Sequence, residues 1–500
     1  MTGAVTRGDV AKGAGLAGLA RAGALIEALA QPLFIWLFGL SSYGIYIVLW
    51  SAVNLASNIV DLAMTMTLQR LVPTLDEEEQ VHAAVKLALL VSVLPAALIA
   101  LLVSLNAERV SRLFSAAPAD LATLPAAIAL FVWALPLWTF VEVATSAARA
   151  RRAFGPEIRL RVFWEQIARI LFALGFFALG MNSLGLMAAH LASLALTAAL
   201  CLPLLGRYYS LRHLLRAPID RPLALMLIGS GLALLPSGIS RRLLIDVPPV
   251  AINLMLPGAR GANAAALFDI ARKISTVPLF VRQAFQYVMA PLSSAQAHAD
   301  REAIGPLYRF ACRVSTALVV PLAGLLIFAG KDILSVYRDE ATAALPLLYV
   351  LVAARAGEAI LGPATPVVEM TGHRALPLLN SLAGMALWAL LAFLLVPRLE
   401  AMGMVIAVAA ATLLITIAAT IELRIAEGLT PFDLKLLRGL TIALVGVGLM
   451  SLVEYFTGGP LRFALVLTLW ALTSWCALRF GLVRTDREAL GGLAKRLRLI

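Results

Sequence analysis

Apolar stretches of about twenty residues or more, nearly free of charge, recur from one end of this 500-residue chain to the other. No single water-soluble core can absorb them. Soluble domains are about 45–50% apolar and about 25% charged. Here 61% of residues are hydrophobic, 14% are charged and the mean hydropathy is +0.90. Because a helix satisfies its own backbone groups in lipid, the sequence specifies an all-α, polytopic integral membrane protein.

A span needs about 20 mainly apolar residues, which gives about fourteen candidates here. The first six run over 14–37, 43–72, 84–105, 122–148, 161–180 and 184–205. Six more cover 222–256, 263–292, 310–330, 343–370, 378–397 and 403–423, and two follow at 439–456 and 461–482. With the N-terminus inside, the inner loops and tails hold about 22 Lys and Arg and the outer loops about 6, the asymmetry expected of cytoplasmic loops. Arg149, Arg151, Arg152, Arg207, Arg212, Arg216, Arg221, Lys495, Arg496 and Arg498 contribute most to the inner side. The inner loop Asp76-Glu77-Glu78-Glu79 dissents, although acids weigh little in this rule. Both termini are therefore expected on the cytoplasmic side. The net charge of +12 is thus a matter of topology and gives no reason to expect nucleic acid as a partner.

Arg7 and Lys12 precede an apolar stretch ending in Ala28-Leu29-Ala30, which looks like a cleavable signal. Arg21 and Glu27 interrupt it, so a retained first span is the better reading. Cys201, Cys312 and Cys476 fall singly in apolar runs, and neither a disulfide framework nor a metal site is supported. No phosphate-cradling glycine loop is present, so no cofactor is expected. No loop is long enough to hide a catalytic domain, and the largest outer ones run over 106–121 and 331–342.

The first two spans can be laid over the seventh and eighth. Leu37-Phe38-Gly39 matches Leu256-Pro257-Gly258, and Pro73 closes one copy as Pro291 closes the other. Glu27 and Asp246 then stand equally far before the matched glycines, and Asn54, Asn58 and Thr65 meet Arg272, Thr276 and Gln283. A one-residue gap separates the two anchors. The repeat is parallel, six helices followed by six, and transporters built this way place their substrate near the midplane between the halves. The expected organisation is a cytoplasmic tail over 1–13, lobes over 14–212 and 222–424, two added spans in 439–482, and a basic cytoplasmic tail over 483–500. That tail fits either a segment lying on the inner membrane surface or a disordered one.

Polar residues at bilayer depth are costly and usually face a cavity or a partner. Ser51, Asn54, Asn58, Asp61 and Thr65 form one stripe of the second span, and Asp269, Arg272, Lys273, Thr276, Gln283 and Tyr287 one of the eighth. The seventh span carries Arg241, Arg242 and Asp246 beside Pro236, Pro248 and Pro249, a pattern of a bent or broken helix. Arg21, Glu27 and Gln31 lie in the first span, Glu142 in the fourth, Glu165 and Arg169 in the fifth, and Arg355, Glu358 and Glu369 in the tenth. Bland readings stand beside these. Arg70, Arg149, Arg207, Arg282 and Arg309 suit snorkelling at helix ends. Glu165 with Arg169, Arg242 with Asp246, and Arg355 with Glu358 have the spacing of pairs that neutralise each other on one helix. The asparagines suit interhelical hydrogen bonding. On the functional reading, Arg21, Asn54, Asn58, Arg169, Arg241, Arg242, Arg272, Lys273 and Arg355 line a substrate cavity. Its cationic sign in the second half fits a phosphate-bearing cargo. Glu27, Asp61, Glu142, Asp246, Asp269 and Glu358 are then the carboxylates available for ion coupling.

In Leu37-Phe38-Gly39-Leu40-Ser41-Ser42-Tyr43-Gly44-Ile45-Tyr46, Leu68-Gln69-Arg70-Leu71-Val72-Pro73 and the turn Thr371-Gly372-His373-Arg374, the chain resembles the multidrug/oligosaccharidyl-lipid/polysaccharide (MOP) exporter superfamily, in the branch of bacterial polysaccharide-repeat (O-antigen type) flippases. The resemblance covers most of the chain through short motifs. It implies two six-helix lobes in a V around a central cavity that opens alternately to each side. The implied cargo is an undecaprenyl-pyrophosphate-linked oligosaccharide carried to the periplasmic leaflet, with its pyrophosphate on the basic residues above. Lipid-linked oligosaccharide, membrane lipids and polysaccharide polymerase or other assembly proteins are the implied partners. Other readings are a cation-coupled multidrug or metabolite exporter of the same superfamily and a lipid-II-type flippase. From the enzyme class, a membrane-embedded glycosyltransferase or polymerase would need an acidic metal pair or a catalytic loop, and neither is found.

Overall fold

The computed structural model describes residues 30–153, 155, 158–281, 304–370, 375–490 and 492–499. Every regular element among them is a helix. Arg21, Glu27, Gln283, Tyr287 and the 371–374 turn lie outside the described residues, as does most of the first span, which is helical over 30–38. Among the described residues, ten helices are long and apolar enough to cross a membrane. One of them, Ala375–Glu427, spans 53 residues only because two helices meet at Glu400, where φ is 52°. That joint supplies the eleventh and twelfth spans.

The second span is two helices, Leu40–Val60 and Met64–Leu71. Between them Leu62 and Ala63 take φ of 49° and 56°, a conformation that costs an L-residue about 1–2 kcal/mol. The seventh span, Arg221–Met255, lies against this break, where a Cβ at Gly231 would stand 2.4 Å from the Leu62 carbonyl oxygen. Only glycine permits that approach. Nearer the other end of the second span, Gly44 meets the Ala262 carbonyl in the same way. Such contacts matter because lipid offers no hydrophobic drive between helices, so close backbone packing and hydrogen bonds hold them together.

The proline-rich seventh span is not broken. Its 35 residues form one helix, about 52 Å long at 1.5 Å per residue, well beyond the ~30 Å hydrocarbon core. Ser240 Oγ donates to the Pro236 carbonyl at 2.8 Å within it.

Two compact units divide the chain, Met1–Ala266 and Leu267–Ile500. The seventh span packs on the second and falls in the first unit's range, where the sequence reading grouped it with the later six. The first unit's core joins Met64 and Leu68 to Ala84, Val85, Ala144, Ala147, Cys201 and Leu227. Half of these are alanine or cysteine, small residues that suit close helix packing in lipid. In the second unit Tyr308, Ala311 and Cys312 of the ninth span (Ile304–Phe328) pack on Val367, Ala419 and Leu423. The thirteenth span, Leu434–Phe456, and the fourteenth, Gly459–Cys476, present exposed Leu449, Leu452, Leu461 and Leu472, the face expected against lipid.

The basic tail is folded. Helices Arg484–Ala489 and Gly492–Arg496 close back so that Ala494 and Leu499 are buried against Val314, Ala317 and Leu478.

Candidate functional site

Polar side chains gather at three places in the first unit. Around the break of the second span, Asp61 Oδ2 accepts from Thr65 Oγ1 at 2.9 Å, while Ser92 Oγ of the third span, Glu78–Leu105, donates to the Asp61 backbone carbonyl at 3.3 Å. Asn58 Nδ2 donates to the Asn54 carbonyl at 2.7 Å, and Ser57 and Thr139 hydroxyls meet at 3.0 Å. Ser146 Oγ donates to the Thr65 carbonyl at 2.5 Å and accepts from Gln69 at 3.1 Å. Much of the hydrogen bonding of Asn58, Asp61 and Thr65 is thus spent on the helix's own irregularity and on its neighbours.

The fifth span begins as a π-helix over Ile158–Trp164 and continues as Glu165–Ala178. Arg169 donates to Glu165 at 2.6 Å and to the Tyr46 hydroxyl at 3.4 Å, and that hydroxyl lies 3.0 Å from His190 Nδ1. All four side chains are buried. Trp50 covers the His190 ring at 4.2 Å between centroids. A few residues away, Arg161 donates to Glu142 at 3.3 Å and stacks over Trp138 at 4.4 Å. From sequence Tyr46 stood out only as the end of the Leu37–Tyr46 motif, and His190 not at all. A lone histidine in an apolar run was the available signal.

On the seventh span Arg242 lies 4.0 Å from buried Asp246. Arg241 occupies the same helix, and of it only the backbone is described.

In the second unit, the eighth span brings three charged side chains together. Helix Ala259–Ser275 carries Asp269, fully buried. Its Oδ1 accepts from Arg272 at 2.5 Å, and its Oδ2 lies 3.3 Å from Lys273 Nζ. Both cations keep part of their side chains accessible, 17% and 24% against 0% for the acid. Tyr337, in the loop after helix Gly330–Ser335, is buried, and burial together with the charge of Asp269 raises its phenol well above the ordinary range. On the tenth span, Arg355 donates to Glu358 at 2.7 Å.

The sequence reading missed a further cluster in this unit. Arg313 of the ninth span makes a two-pronged bond to Asp486 of the tail, 2.7 and 2.8 Å, and a third to Asp433 at 2.7 Å. Asp433 also caps the thirteenth span through the Leu436 N–H. Arg313 is an arginine inside an apolar run, so the rule that flagged Arg169 could have found it.

No protein-family model matches the chain, and no curated protein matches it. Solved structures do. A structure of the lipid II flippase MurJ in an inward closed conformation superposes with a TM-score of 0.73 at 12% identity, covering 92% of this chain and 97% of that one. An inward-facing multidrug resistance MATE family transporter of the MOP superfamily gives 0.63 at 13%, covering 82% and 93%. A MOP superfamily transporter from Pyrococcus furiosus gives 0.58 at 14%, covering 82% and 93%. The chain thus has the helical membrane fold of the MOP superfamily transporters, which bears out the fold expected from its sequence.

Proposed function

We propose that the chain is a flippase carrying an undecaprenyl-pyrophosphate-linked oligosaccharide from the cytoplasmic to the periplasmic leaflet by alternating access, in surface polysaccharide biosynthesis. The cluster of Asp269, Arg272 and Lys273 carries this reading. Arg169 with Glu165 and Arg355 with Glu358 pair on single helices. Arg272 and Lys273 both reach Asp269, and their side chains stay 17% and 24% accessible while the acid is buried. An arginine fork beside an ammonium suits the adjacent oxygens of a pyrophosphate.

In this reading Arg272 and Lys273 bind the pyrophosphate, and Arg21, Asn54, Asn58, Arg169, Arg241, Arg242 and Arg355 belong to the same transport path. Glu27, Asp61, Glu142, Asp246, Asp269 and Glu358 supply the carboxylates for ion coupling. The lobes 14–212 and 222–424 alternate in a bacterial inner membrane with both termini cytoplasmic, and assembly proteins such as a polysaccharide polymerase act on the delivered cargo.

A lipid-II-type flippase is the second reading. It is favoured by the larger share of this chain that the MurJ structure matches, 92% against 82% for the MATE transporter. A multidrug exporter remains compatible with the fold, but a surplus of cations fits a cationic drug poorly.

A deletion strain tests the choice. Lipid-linked oligosaccharide should build up on the cytoplasmic side while surface polysaccharide is lost, and Arg272→Gln with Lys273→Gln should reproduce the defect in protein of normal abundance. Normal polysaccharide with accumulation of toxic compounds would overturn the cargo. Blocked cell-wall synthesis with polysaccharide affected only as a consequence would select the second reading.

A further inference from the structure

The first unit holds an apolar cavity of about 180 Å³ whose lining includes no residue of its polar clusters. Val53 of the second span, Ile99 and Val103 of the third and Phe131 of the fourth form its walls, and Val110 and Phe114 of the loop between the third and fourth spans close one end. Every lining residue is apolar, so nothing in it could hold the polar part of a cargo, and a water would lack the two or more polar partners it requires. The volume is below the roughly 300–1,000 Å³ of sites for drug-sized ligands. It has room for part of one hydrocarbon chain. Leu98 and Leu102, neighbours of Ile99 and Val103, are exposed on the third span, so the cavity borders a surface that faces lipid.

The closing segment is two-faced. It starts as the short helix Ala107–Ser111. Ala107 is buried, Val110 and Phe114 line the cavity, and Arg109 and Arg112, next to them in the chain, are exposed. The segment is held in place beyond its end, where Asn253 accepts from the Ser115 N–H at 2.9 Å and donates to the Ser115 carbonyl at 2.7 Å. Glu108 offsets one of the two arginine charges. Asp120, the other acid of the loop, is buried and accepts from the Ser41 and Ser42 hydroxyls at 3.1 Å. A cationic rim therefore stands directly beside an apolar cavity at the edge of a membrane span.

We propose that this cavity takes one acyl chain of an anionic membrane phospholipid whose phosphate is held by Arg109 and Arg112. Charge complementarity selects the anionic headgroup, and the dry lining selects the chain. The lipid belongs to the leaflet bordered by residues 106–121 and is separate from any transported cargo, so the site does not depend on the flippase reading.

The test uses the full chain in neutral detergent, exposed to mixed micelles of phosphatidylglycerol and phosphatidylcholine, washed, and read by native mass spectrometry. The unaltered protein should retain phosphatidylglycerol in preference. Arg109→Gln with Arg112→Gln should reduce that preference by about fivefold or more, the worth of one or two near-surface cations. Ala52→Phe, which fills the cavity, should lower retention of both lipids without lowering the thermal midpoint. If Ala52→Phe fails to fold, the milder Ala56→Met is read in its place. Retention untouched by cavity filling, or a preference untouched by loss of both arginines, would overturn the proposal. Equal retention of both lipids, lost on cavity filling, would leave an apolar chain site and reject the headgroup recognition.

Discussion

Arg313 shows how one buried cation can hold three parts of a chain together. Its guanidinium ties the ninth span to the tail at Asp486 and to the start of the thirteenth span at Asp433. Removing one member of a buried pair leaves an uncompensated charge and costs about 3–5 kcal/mol, so Arg313→Ala should destabilise the protein by about that much. Arg313→Lys keeps the charge but loses the fork and should fall between. Unfolding titrated with SDS would measure both, and a loss below about 1 kcal/mol for the alanine variant, the range of an exposed pair, would deny the cluster its structural role. The polar stripe of the second span was legible in the sequence because asparagines and acids are conspicuous in an apolar run. Its use was not. The partners Ser92, Thr139 and Ser146 are small hydroxyl residues that read like any other small residue of a packed span. Glu165 with Arg169 and Arg355 with Glu358 were anticipated as self-neutralising pairs, and both pairs are formed. Their contribution to a substrate path is a separate matter, and substitution in transport assays would address it.

At the scale of elements, length and hydropathy located the spans, since the ~30 Å core demands a long apolar helix wherever the chain crosses. The interruption of the second span left no such trace. Leu62 and Ala63 are ordinary helix residues, with no proline or glycine among them, and the feature that accompanies their unusual conformation is Gly231, far along the chain. At the seventh span, where three prolines pointed to a bent or broken helix, the chain runs on as one helix. A proline removes one hydrogen bond and bends a helix, but packing along the second span keeps this one continuous. Two substitutions separate these effects. Ala63→Gly relieves the left-handed strain of about 1–2 kcal/mol against about 0.4–1 kcal/mol of added unfolded-chain freedom, and should stabilise by about 0.5–1 kcal/mol. Gly231→Val sets a side chain against the Leu62 carbonyl and should destabilise by about 1–3 kcal/mol, the usual cost of overpacking. Thermal midpoints in detergent would show both, and a neutral Gly231→Val would mean that the seventh span does not press on the break.

For the whole molecule, orientation in the membrane is the property on which the proposed direction of transport rests. If positively charged loops stay on the cytoplasmic side, Arg207, Arg212, Arg216 and Arg221 lie inside and residues 106–121 outside. Helix Leu211–Arg216 lies on the inner side in this reading, with Leu215 exposed, while Leu113 is exposed in the loop assigned to the outside. The free thiols Cys201 and Cys312 are buried and Cys476 is half-buried, so a background lacking all three should be tolerated. In that background, Leu113→Cys should react with an impermeant maleimide on intact spheroplasts, and Leu215→Cys only after the membrane is opened. The opposite pattern would invert the chain. It would move the Asp486 tail and its Arg313 anchor to the periplasm, and would reverse the direction in which an inward-loaded cargo could be carried. The same labelling reports on conformation, because a transporter that alternates should change the reactivity of sites near the cavity and leave Leu113→Cys and Leu215→Cys fixed. Those two positions therefore decide sidedness without depending on which state the protein occupies.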